Sequence, residues 1–241
     1  MKILHTADWH LGQTFYEYDR REEHFHFLEW LKQQIKQHEI DVLLIAGDVF
    51  DSPNPSAESQ RVYYRFLREV TSENPSLQIV IIAGNHDSAA RLEAPNPLLE
   101  DMNIIVRGTV RRNAEGDIDL QHFIVPLYTE GKVTAYCLAV PYLRQGDYPS
   151  AENYSKGVQQ LYEQLFNKVK EKGIPVVAMG HLQATGSEIS EDDRSERTVI
   201  GGLECVSPDA FNEAITYTAL GHLHRSQRVS HRENVRYSGT P

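Results

Sequence analysis

Residues 81 to 87 read IIAGNHD, a short apolar run followed by a glycine and then by an amide, an imidazole and a carboxylate. Residues 43 to 51, LLIAGDVFD, repeat this order, with a glycine before Asp48, and two later runs end in glycine and then His181 or His222. Such groups are costly to bury at the end of a core strand. In an open α/β sheet, however, the carboxyl ends of parallel strands line one crevice, and glycine permits the tight turn that points the next side chain into it. The pattern predicts an α/β fold with a polar site at its strand ends.

The rest of the chain supports this fold class, because short apolar runs alternate with segments of helical period. Six runs are predicted to be strands: residues 3 to 6, 42 to 46, 78 to 83, 133 to 140, 175 to 179 and 215 to 220. Three helices are predicted from apolar residues spaced by three or four: Phe27 or Leu28 with Leu31 and Ile35; Val62, Phe66 and Val70; and Val158, Leu161, Leu165 and Val169. The third helix is expected over residues 154 to 169, with Ser150 as its N-cap.

Residues 104 to 140 do not show this alternation of strand-like and helical segments. Glycine-containing pairs and triplets punctuate segments rich in β-forming residues, which is typical of hairpins. We therefore expect a second, more antiparallel sheet in this part of the chain.

Composition limits the function classes. The chain has 241 residues and a net charge of −10, which argues against a broad basic surface that grips nucleic acid by charge alone. Its longest apolar run, residues 135 to 140, is far short of the roughly 20 residues of a membrane span, so we expect no membrane crossing and a cytoplasmic location. Cys137 and Cys205 are too few for a disulfide framework. The acidic run EISEDDRSER at 188 to 197 is interpreted as a solvated loop.

Seven side chains that follow apolar runs have the chemistry of metal ligands: Asp8, His10, Asp48, Asn85, His181, His222 and His224. Any one of them alone is more simply explained as a structural residue. Together they would be very costly to bury unless a cation compensates them. Imidazole, carboxylate and amide ligands without thiolate suit Mn, Fe or Zn better than Ca. Seven ligands exceed what one ion with an open position needs, so we predict two ions that share a carboxylate, with Asp48 as the bridge.

Five motifs match, in order, those of the calcineurin-like metallophosphoesterases: DWH at 8 to 10, GDVFD at 47 to 51, GNHD at 84 to 87, GH at 180 to 181 and GHLH at 221 to 224. Two further motifs, HTADWHLGQ at 5 to 13 and VRYSGTP at 235 to 241, resemble motifs of the DNA-nuclease branch of that superfamily. The resemblance spans essentially the whole chain. It implies a four-layer α/β/β/α sandwich of two mixed sheets flanked by helices.

The resemblance also implies how the site is divided. One ligand set would consist of Asp8, His10, Asp48 and His224, and the other of Asp48, Asn85, His181 and His222. Two Mn²⁺ ions would be bound, with Mg²⁺, Fe²⁺ or Zn²⁺ as substitutes. His86, outside both sets, would act on the scissile phosphate or protonate the leaving oxygen, with Asp87 orienting its ring.

The same resemblance carries expectations about substrate and partners. It implies exonuclease and endonuclease activity on DNA in repair and end processing, an ATPase partner, and a homodimer within a heterotetramer. Residues 1 to 241 would form the metallophosphoesterase nuclease domain, without the C-terminal capping and partner-binding regions of the family. Relatives outside bacteria commonly carry histidine where this chain has Asp51, so no DNA-handling role is carried over to that position.

Two alternatives to a DNA nuclease remain open in the sequence. A phosphatase or phosphodiesterase acting on small phosphoesters would use the same dinuclear site, although no arginine stands beside the NHD motif where protein phosphatases have one. A non-catalytic binding module would be expected to have lost ligands, and none is lost here. Six other histidines are interpreted as structural or exposed: His5, His24, His26, His38, His122 and His231. Arg20 is interpreted as either a phosphate contact or a partner of Glu23.

Overall fold

A computed structural model describes residues 1–188 and 205–241 of the chain. The strands are β1 Ile3–Thr6, β2 Thr14–Phe15, β3 Tyr18–Asp19, β4 Val42–Ala46, β5 Gln78–Ile82, β6 Ile104–Arg107, β7 Ile124–Thr129, β8 Lys132–Ala139, β9 Val176–His181, β10 Tyr217–Gly221, β11 Gln227–Val229 and β12 Arg232–Tyr237. The helices are α1 Arg21–His38, α2 Ala57–Glu73, α3 Ala89–Glu93, α4 Asn96–Leu99 and α5 Tyr154–Val169. The acidic run EISEDDRSER lies, from residue 189 onward, outside the described residues.

The first sheet, sheet I, contains β1, β4, β5 and β6 in that order, and all three of its pairings are parallel. Strands β4 and β5 are buried along their whole length, as the apolar runs 42 to 46 and 79 to 82 predict, and Gln78 at the start of β5 is buried with them. Because the strands run in one direction, their carboxyl ends meet at a single edge of the sheet.

The second sheet, sheet II, has the order β11-β12-β10-β9-β8-β7. Its four central strands are parallel, whereas β7 and β11 are antiparallel edge strands. The expectation of a more antiparallel sheet in residues 104 to 140 is therefore only partly right. The β7–β8 hairpin forms there, but β6 pairs with β5 in sheet I, because its apolar residues continue the parallel core.

The two sheets lie face to face, and alternate residues of each strand serve different layers. On β4, Leu43 and Ile45 pack in a cluster with side chains of α1 and α2, while Val42, Leu44 and Ala46 pack against sheet II. On the far side, Leu161 and other residues of α5 pack against sheet II. The predicted four-layer α/β/β/α sandwich is thereby confirmed, but the expectation of two mixed sheets holds only for sheet II, because every pairing in sheet I is parallel.

The start of α5 corrects one prediction. The helix spans Tyr154–Val169 as expected, but its N-cap is Asn153, whose side chain accepts a hydrogen bond from the Lys156 N–H at 2.9 Å. Ser150 lies too far upstream to reach the unpaired N–H groups of the first turn. None of the helices in the described residues is long and apolar enough to cross a membrane.

We expect Leu161→Ala to lower the free energy of unfolding by about 2–5 kcal/mol, because the side chain is fully buried between α5 and sheet II and its loss leaves a cavity. Urea denaturation followed by circular dichroism measures this. Glu163→Ala, on the exposed side of the same helix, is the control and should change stability by no more than about 0.5 kcal/mol. Equal losses in the two variants would contradict the packing described for α5.

Candidate metal centre

The structure brings all seven predicted ligand-type side chains to one place, where the carboxyl ends of both sheets meet. Sheet I contributes the residues that follow β1, β4 and β5, and sheet II contributes those at the ends of β9 and β10. The inter-sheet contact brings them together: the Asp8 carboxylate oxygen Oδ1 accepts a hydrogen bond from the His222 N–H at 2.9 Å, across 214 residues of sequence. The site therefore exists only when the two sheets are packed.

The turns that present these side chains are conformationally unusual. Four of the seven residues have positive φ although none is glycine: Asp8 (56°), His10 (45°), Asp48 (49°) and His222 (99°). For non-glycine residues this region is sparsely populated and costs about 1–3 kcal/mol at each position. Such strain is retained only where the surroundings enforce it, which is typical of binding and catalytic sites.

Glycines provide the space for these turns. A Cβ on Gly47, whose φ is +93°, would overlap the His181 ring, and one on Gly84 would overlap the Asp48 carboxylate. A Cβ on Gly221 would strike the Ala46 carbonyl. Gly47 is thus required for both its positive-φ turn and the close approach of sheet II, Gly221 for the close approach of sheet I, and Gly84 for the close approach of the neighbouring Asp48 loop.

One half of the site consists of Asp8, His10 and His224, whose ligand atoms lie within 4.8 Å of one another. The Nε2 atoms of His10 and His224 are 3.2 Å apart, and their rings meet edge to face at 5.0 Å. Two imidazoles gain nothing from turning these nitrogens toward each other unless a proton or a cation lies between them.

The other half consists of Asn85, His181 and His222. The Asn85 Oδ1 lies 3.0 Å from His181 Nε2 and 3.0 Å from His222 Nδ1. The remaining ring nitrogen of His181, Nδ1, is 2.8 Å from the Ala46 carbonyl oxygen. A carbonyl only accepts, so Nδ1 carries the hydrogen, and Nε2 is the nitrogen that faces the site.

Asp48 lies between the two halves. Its Oδ2 is 3.2 Å from His181 Nε2 and 3.8 Å from His10 Nε2, and Asp8, Asp48 and His181 form a further metal-compatible group. Ligands held at about 2.1 Å from an ion and at right angles to each other are about 3.0 Å apart. Most of these separations match that spacing, so the arrangement suits cations on either side of Asp48.

Unsatisfied carboxylate oxygens supply the strongest test of whether the residues fit a cation. Asp8 Oδ2 and Asp48 Oδ2 are buried and accept no hydrogen bond from the described residues, and both side chains are 0% exposed. Burial raises the pKa of Asp8 to about 7, against the opposing charge of His181. Burial would also raise the pKa of Asp48, but the charges of His181 and His10 outweigh it and hold that pKa well below its usual range. Anionic oxygens left without donors in a buried site are what divalent cations compensate.

His86 lies beside this group, and its ring centroid is 4.8 Å from that of His10. Its backbone N–H donates to Asp48 Oδ1 at 2.9 Å, and its Nδ1 is 2.9 Å from the Asp51 carbonyl oxygen. The ligand atom of His86 also falls within 4.8 Å of those of His10 and Asp48.

The role expected of Asp87 is corrected. Its carboxylate accepts hydrogen bonds from the backbone N–H groups of Gly84, Val49 and Phe50, at 2.9, 3.2 and 3.0 Å. The main-chain carbonyl of Asp51, rather than Asp87, holds Nδ1 of His86. Asp87 instead ties the loop after β5 to the loop after β4, because three donors from those two loops converge on it.

Asp51 is a site residue that the sequence analysis did not assign. Besides its carbonyl contact to His86, its Oδ1 lies 3.3 Å from His10 Nδ1. The motif GDVFD, in which Asp51 follows Asp48 by three residues, could have indicated the carboxylate but not the carbonyl.

Other predicted residues lie apart from the metal-compatible groups. Among the described residues those groups contain none of the six remaining histidines: His5, His24, His26, His38, His122 and His231. Arg20 pairs with Glu23 at 2.6 Å and donates to Gln13 Oε1 at 2.6 Å, so the ion-pair interpretation of this residue is confirmed. Cys137 is buried and Cys205 is exposed, and neither belongs to these groups.

Comparison with known proteins agrees with this chemistry. The sequence model of a family described as calcineurin-like phosphoesterase matches residues 1–226. A Rhodobacter capsulatus protein named as a subunit of the nuclease SbcCD is 42% identical over all of this chain and 62% of its own length. The Escherichia coli K12 protein of the same name is 32% identical over all of this chain and 60% of its own length. This chain therefore spans about three fifths of the length of these relatives.

Among solved structures, the Pseudomonas putida nuclease MPE matches with a TM-score of 0.32 and 18% identity, over 76% of this chain and 63% of that one. A match this distant adds nothing to the assignment of fold or function.

We expect Gly47→Ala to disrupt the site, because its Cβ would displace the His181 ring in addition to straining a residue with positive φ. Calorimetric titration with MnCl₂ should show weakened binding. Gly116→Ala is the matched control: its φ is +89°, but a Cβ there meets nothing within 4 Å, so it should cost only about 1 kcal/mol of backbone strain. Mn²⁺ binding by Gly47→Ala equal to that of Gly116→Ala would contradict the role given to this glycine.

Proposed function

This chain belongs to the calcineurin-like phosphoesterase family, and on that premise we propose that it is a divalent-metal-dependent nuclease that hydrolyses the phosphodiester bonds of DNA. The observation that carries the proposal is the convergence of seven ligand-type side chains around two fully buried carboxylates, Asp8 and Asp48. The similarity to two proteins named as nuclease subunits supports DNA as the substrate.

The proposed ligand sets share Asp48. Asp8, His10, Asp48 and His224 would hold one ion, and Asp48, Asn85, His181 and His222 would hold the other. The short distances within each half of the site and the position of Asp48 between them support this division. We propose Mn²⁺ as the metal, since the ligands are imidazole and oxygen without thiolate.

Two such ions would neutralise charge on the phosphate and stabilise the attacking and leaving oxygens of an in-line displacement. The protein's own contribution is to fix these ligands in advance. Asn85 Oδ1 and His181 Nε2 are held at 3.0 Å by the packing of the two sheets, so little reorganisation is needed when substrate binds.

His86 is the proposed acid. Its Nδ1 carries the hydrogen that is donated to the Asp51 carbonyl, so Nε2 is the ring nitrogen that can gain and lose a proton. In the imidazolium form, Nε2–H can donate to the phosphate or to the leaving oxygen and pass its proton to that oxygen as the P–O bond breaks. The Asp51 carbonyl orients the ring throughout, and Asp87 supports it indirectly by tying the two loops together.

The biological setting belongs to the same proposal. By similarity to the SbcCD proteins, we propose an SbcC-type ATPase as partner, a homodimer within a heterotetramer, and DNA repair and hairpin or end processing in the cytoplasm. The alternative is hydrolysis of small phosphoesters at the same dinuclear site. It is favoured only if DNA is not a substrate.

We expect Mn²⁺-dependent cleavage of end-labelled linear and hairpin DNA, and hydrolysis of bis(4-nitrophenyl) phosphate, by the wild-type chain. His86→Ala should lower kcat on both substrates by about 10²–10⁴-fold while binding two Mn²⁺ ions, because only proton donation is lost. Asp48→Ala should lose activity together with Mn²⁺ binding, since the shared ligand is removed. Calorimetry reports the binding stoichiometry.

The control is His26→Ala, an exposed histidine on α1 that should match the wild type in every assay. Hydrolysis of the small diester without DNA cleavage would replace the nuclease proposal with the small-phosphoester alternative. Absence of Mn²⁺ binding by the wild type would overturn the dinuclear site itself.

A further inference from the structure

The end of the motif VRYSGTP supplies none of the proposed ligands, yet it lies against the candidate metal centre. Residues 237 to 240 leave β12 and cross the loops that carry ligands from both sheets. We call these four residues the clasp. Their contacts involve backbone atoms of the ligand loops rather than the ligand side chains.

Tyr237 holds the loop that follows His181. It is 2% exposed, and its hydroxyl donates to the Leu182 carbonyl at 2.7 Å and accepts from the Ala184 N–H at 2.8 Å. One hydroxyl thus satisfies two backbone groups directly after the ligand. This loop cannot shift without breaking both hydrogen bonds.

Gly239 and Thr240 hold the turn that carries His224. The Thr240 N–H donates to the His224 carbonyl at 3.1 Å. Gly239 has a φ of +78°, and a Cβ there would lie 2.9 Å from the His224 carbonyl oxygen and 2.7 Å from the Ser226 nitrogen. Only glycine lets the clasp lie this close to the turn.

Thr240 also reaches the first ligand of the chain. Its Oγ1 donates to the carbonyl oxygen of Asp8 at 2.6 Å. The N–H of Asp8 donates to the Gly47 carbonyl at 3.0 Å, so the residue is held on both sides in its left-handed conformation, φ 56°. Thr240 is itself exposed, whereas the Asp8 side chain that it helps to position is fully buried.

We propose that the clasp positions the metal ligands, and that Thr240 is a positioning residue that fixes Asp8 and His224 relative to each other. Asp8 comes from sheet I and His224 from sheet II, and Thr240 bonds to the backbone of both. Partners outside the ligand set that fix ligand orientation are commonly worth about 10–100-fold in metal affinity or activity. The proposal rests on the proposed function, because it presupposes that these residues bind metal.

The test compares Thr240→Val with Thr240→Ser in the full chain. Valine keeps the shape and the backbone N–H but removes the hydroxyl that donates to Asp8, whereas serine retains it. We expect Thr240→Val to weaken Mn²⁺ binding by about tenfold, to alter the visible spectrum of the Co²⁺-loaded protein, and to lower kcat on bis(4-nitrophenyl) phosphate more than it changes KM. Thr240→Ser should restore all three.

Tyr237→Phe provides a second, independent variant. It removes the hydroxyl that bridges Leu182 and Ala184, and should weaken Mn²⁺ binding through the His181 loop. A control separates positioning from general stability. Asn153→Ala removes the N-cap of α5, far from the clasp, and should bind Mn²⁺ as the wild type does.

The outcomes are distinct. Weakened metal binding and an altered Co²⁺ spectrum in Thr240→Val, with rescue by serine, support the proposal. If Thr240→Val and Tyr237→Phe bind Mn²⁺ like the wild type, or if serine fails to rescue, the clasp is not a positioning device although the metal site stands. If the wild type itself binds no Mn²⁺ or Co²⁺, the proposed function fails, and the clasp proposal falls with it.

Discussion

The rest of the site depends on the burial of two carboxylates, Asp8 and Asp48, side by side in a polar pocket between the sheets. Each has one oxygen that accepts a backbone N–H, from His222 and His86 respectively, and one oxygen that no backbone N–H reaches, the one of Asp48 lying 3.2 Å from His181 Nε2. In a low-dielectric interior this arrangement is strongly unfavourable without positive charge nearby. The imidazoles alone offset part of the charge, and the pKa of His181 is raised because the Asp48 anion, despite burial, favours its protonated form. Cations in the pocket would leave those imidazoles neutral and available as ligands.

This constraint explains why the fold places small residues where it does. The core between the sheets contains alanines at the end nearest the site: Ala7, Ala46, Ala139 and Ala219. Gly47, Gly84 and Gly221 continue the same trend into the loops, each at a point where a Cβ would strike a neighbouring segment. The sheets can therefore approach closely enough for a histidine from sheet II to contact an asparagine from sheet I. Both the packing of the two sheets and the geometry of the site require a small residue at these positions. A bulkier residue would separate the sheets and displace the ligand side chains.

Much of the fold follows from local sequence. The strands β1 and β4 begin and end at the residues predicted from the sequence, and α5 follows its helical period over all 16 residues. The convergence of ligands also follows, because parallel strands have one carboxyl edge. Local sequence pattern does not determine which strand a strand pairs with, which residue caps a helix, or which donors a buried carboxylate meets. The sheet that β6 joins, the residue that caps α5 and the hydrogen-bond partners of the Asp87 carboxylate are each decided by tertiary geometry. The Asp51 carbonyl could not have been found from side-chain chemistry, because its contribution comes from the backbone.

The origin of the ligands in two sheets also links metal binding to folding. Asp8, His10, Asp48 and Asn85 follow strands of sheet I, whereas His181, His222 and His224 lie at or after the ends of strands of sheet II. A ligand that binds only the packed arrangement stabilises it by mass action, and chain segments that cross from one half to the other share in that coupling. Asp87 joins two loops within sheet I, and Thr240 joins Asp8 of sheet I to His224 of sheet II. The positive-φ turns at the strand ends are kept in place by these bonds. The strain at the site is therefore balanced by backbone hydrogen bonds that lie outside the proposed ligand sets.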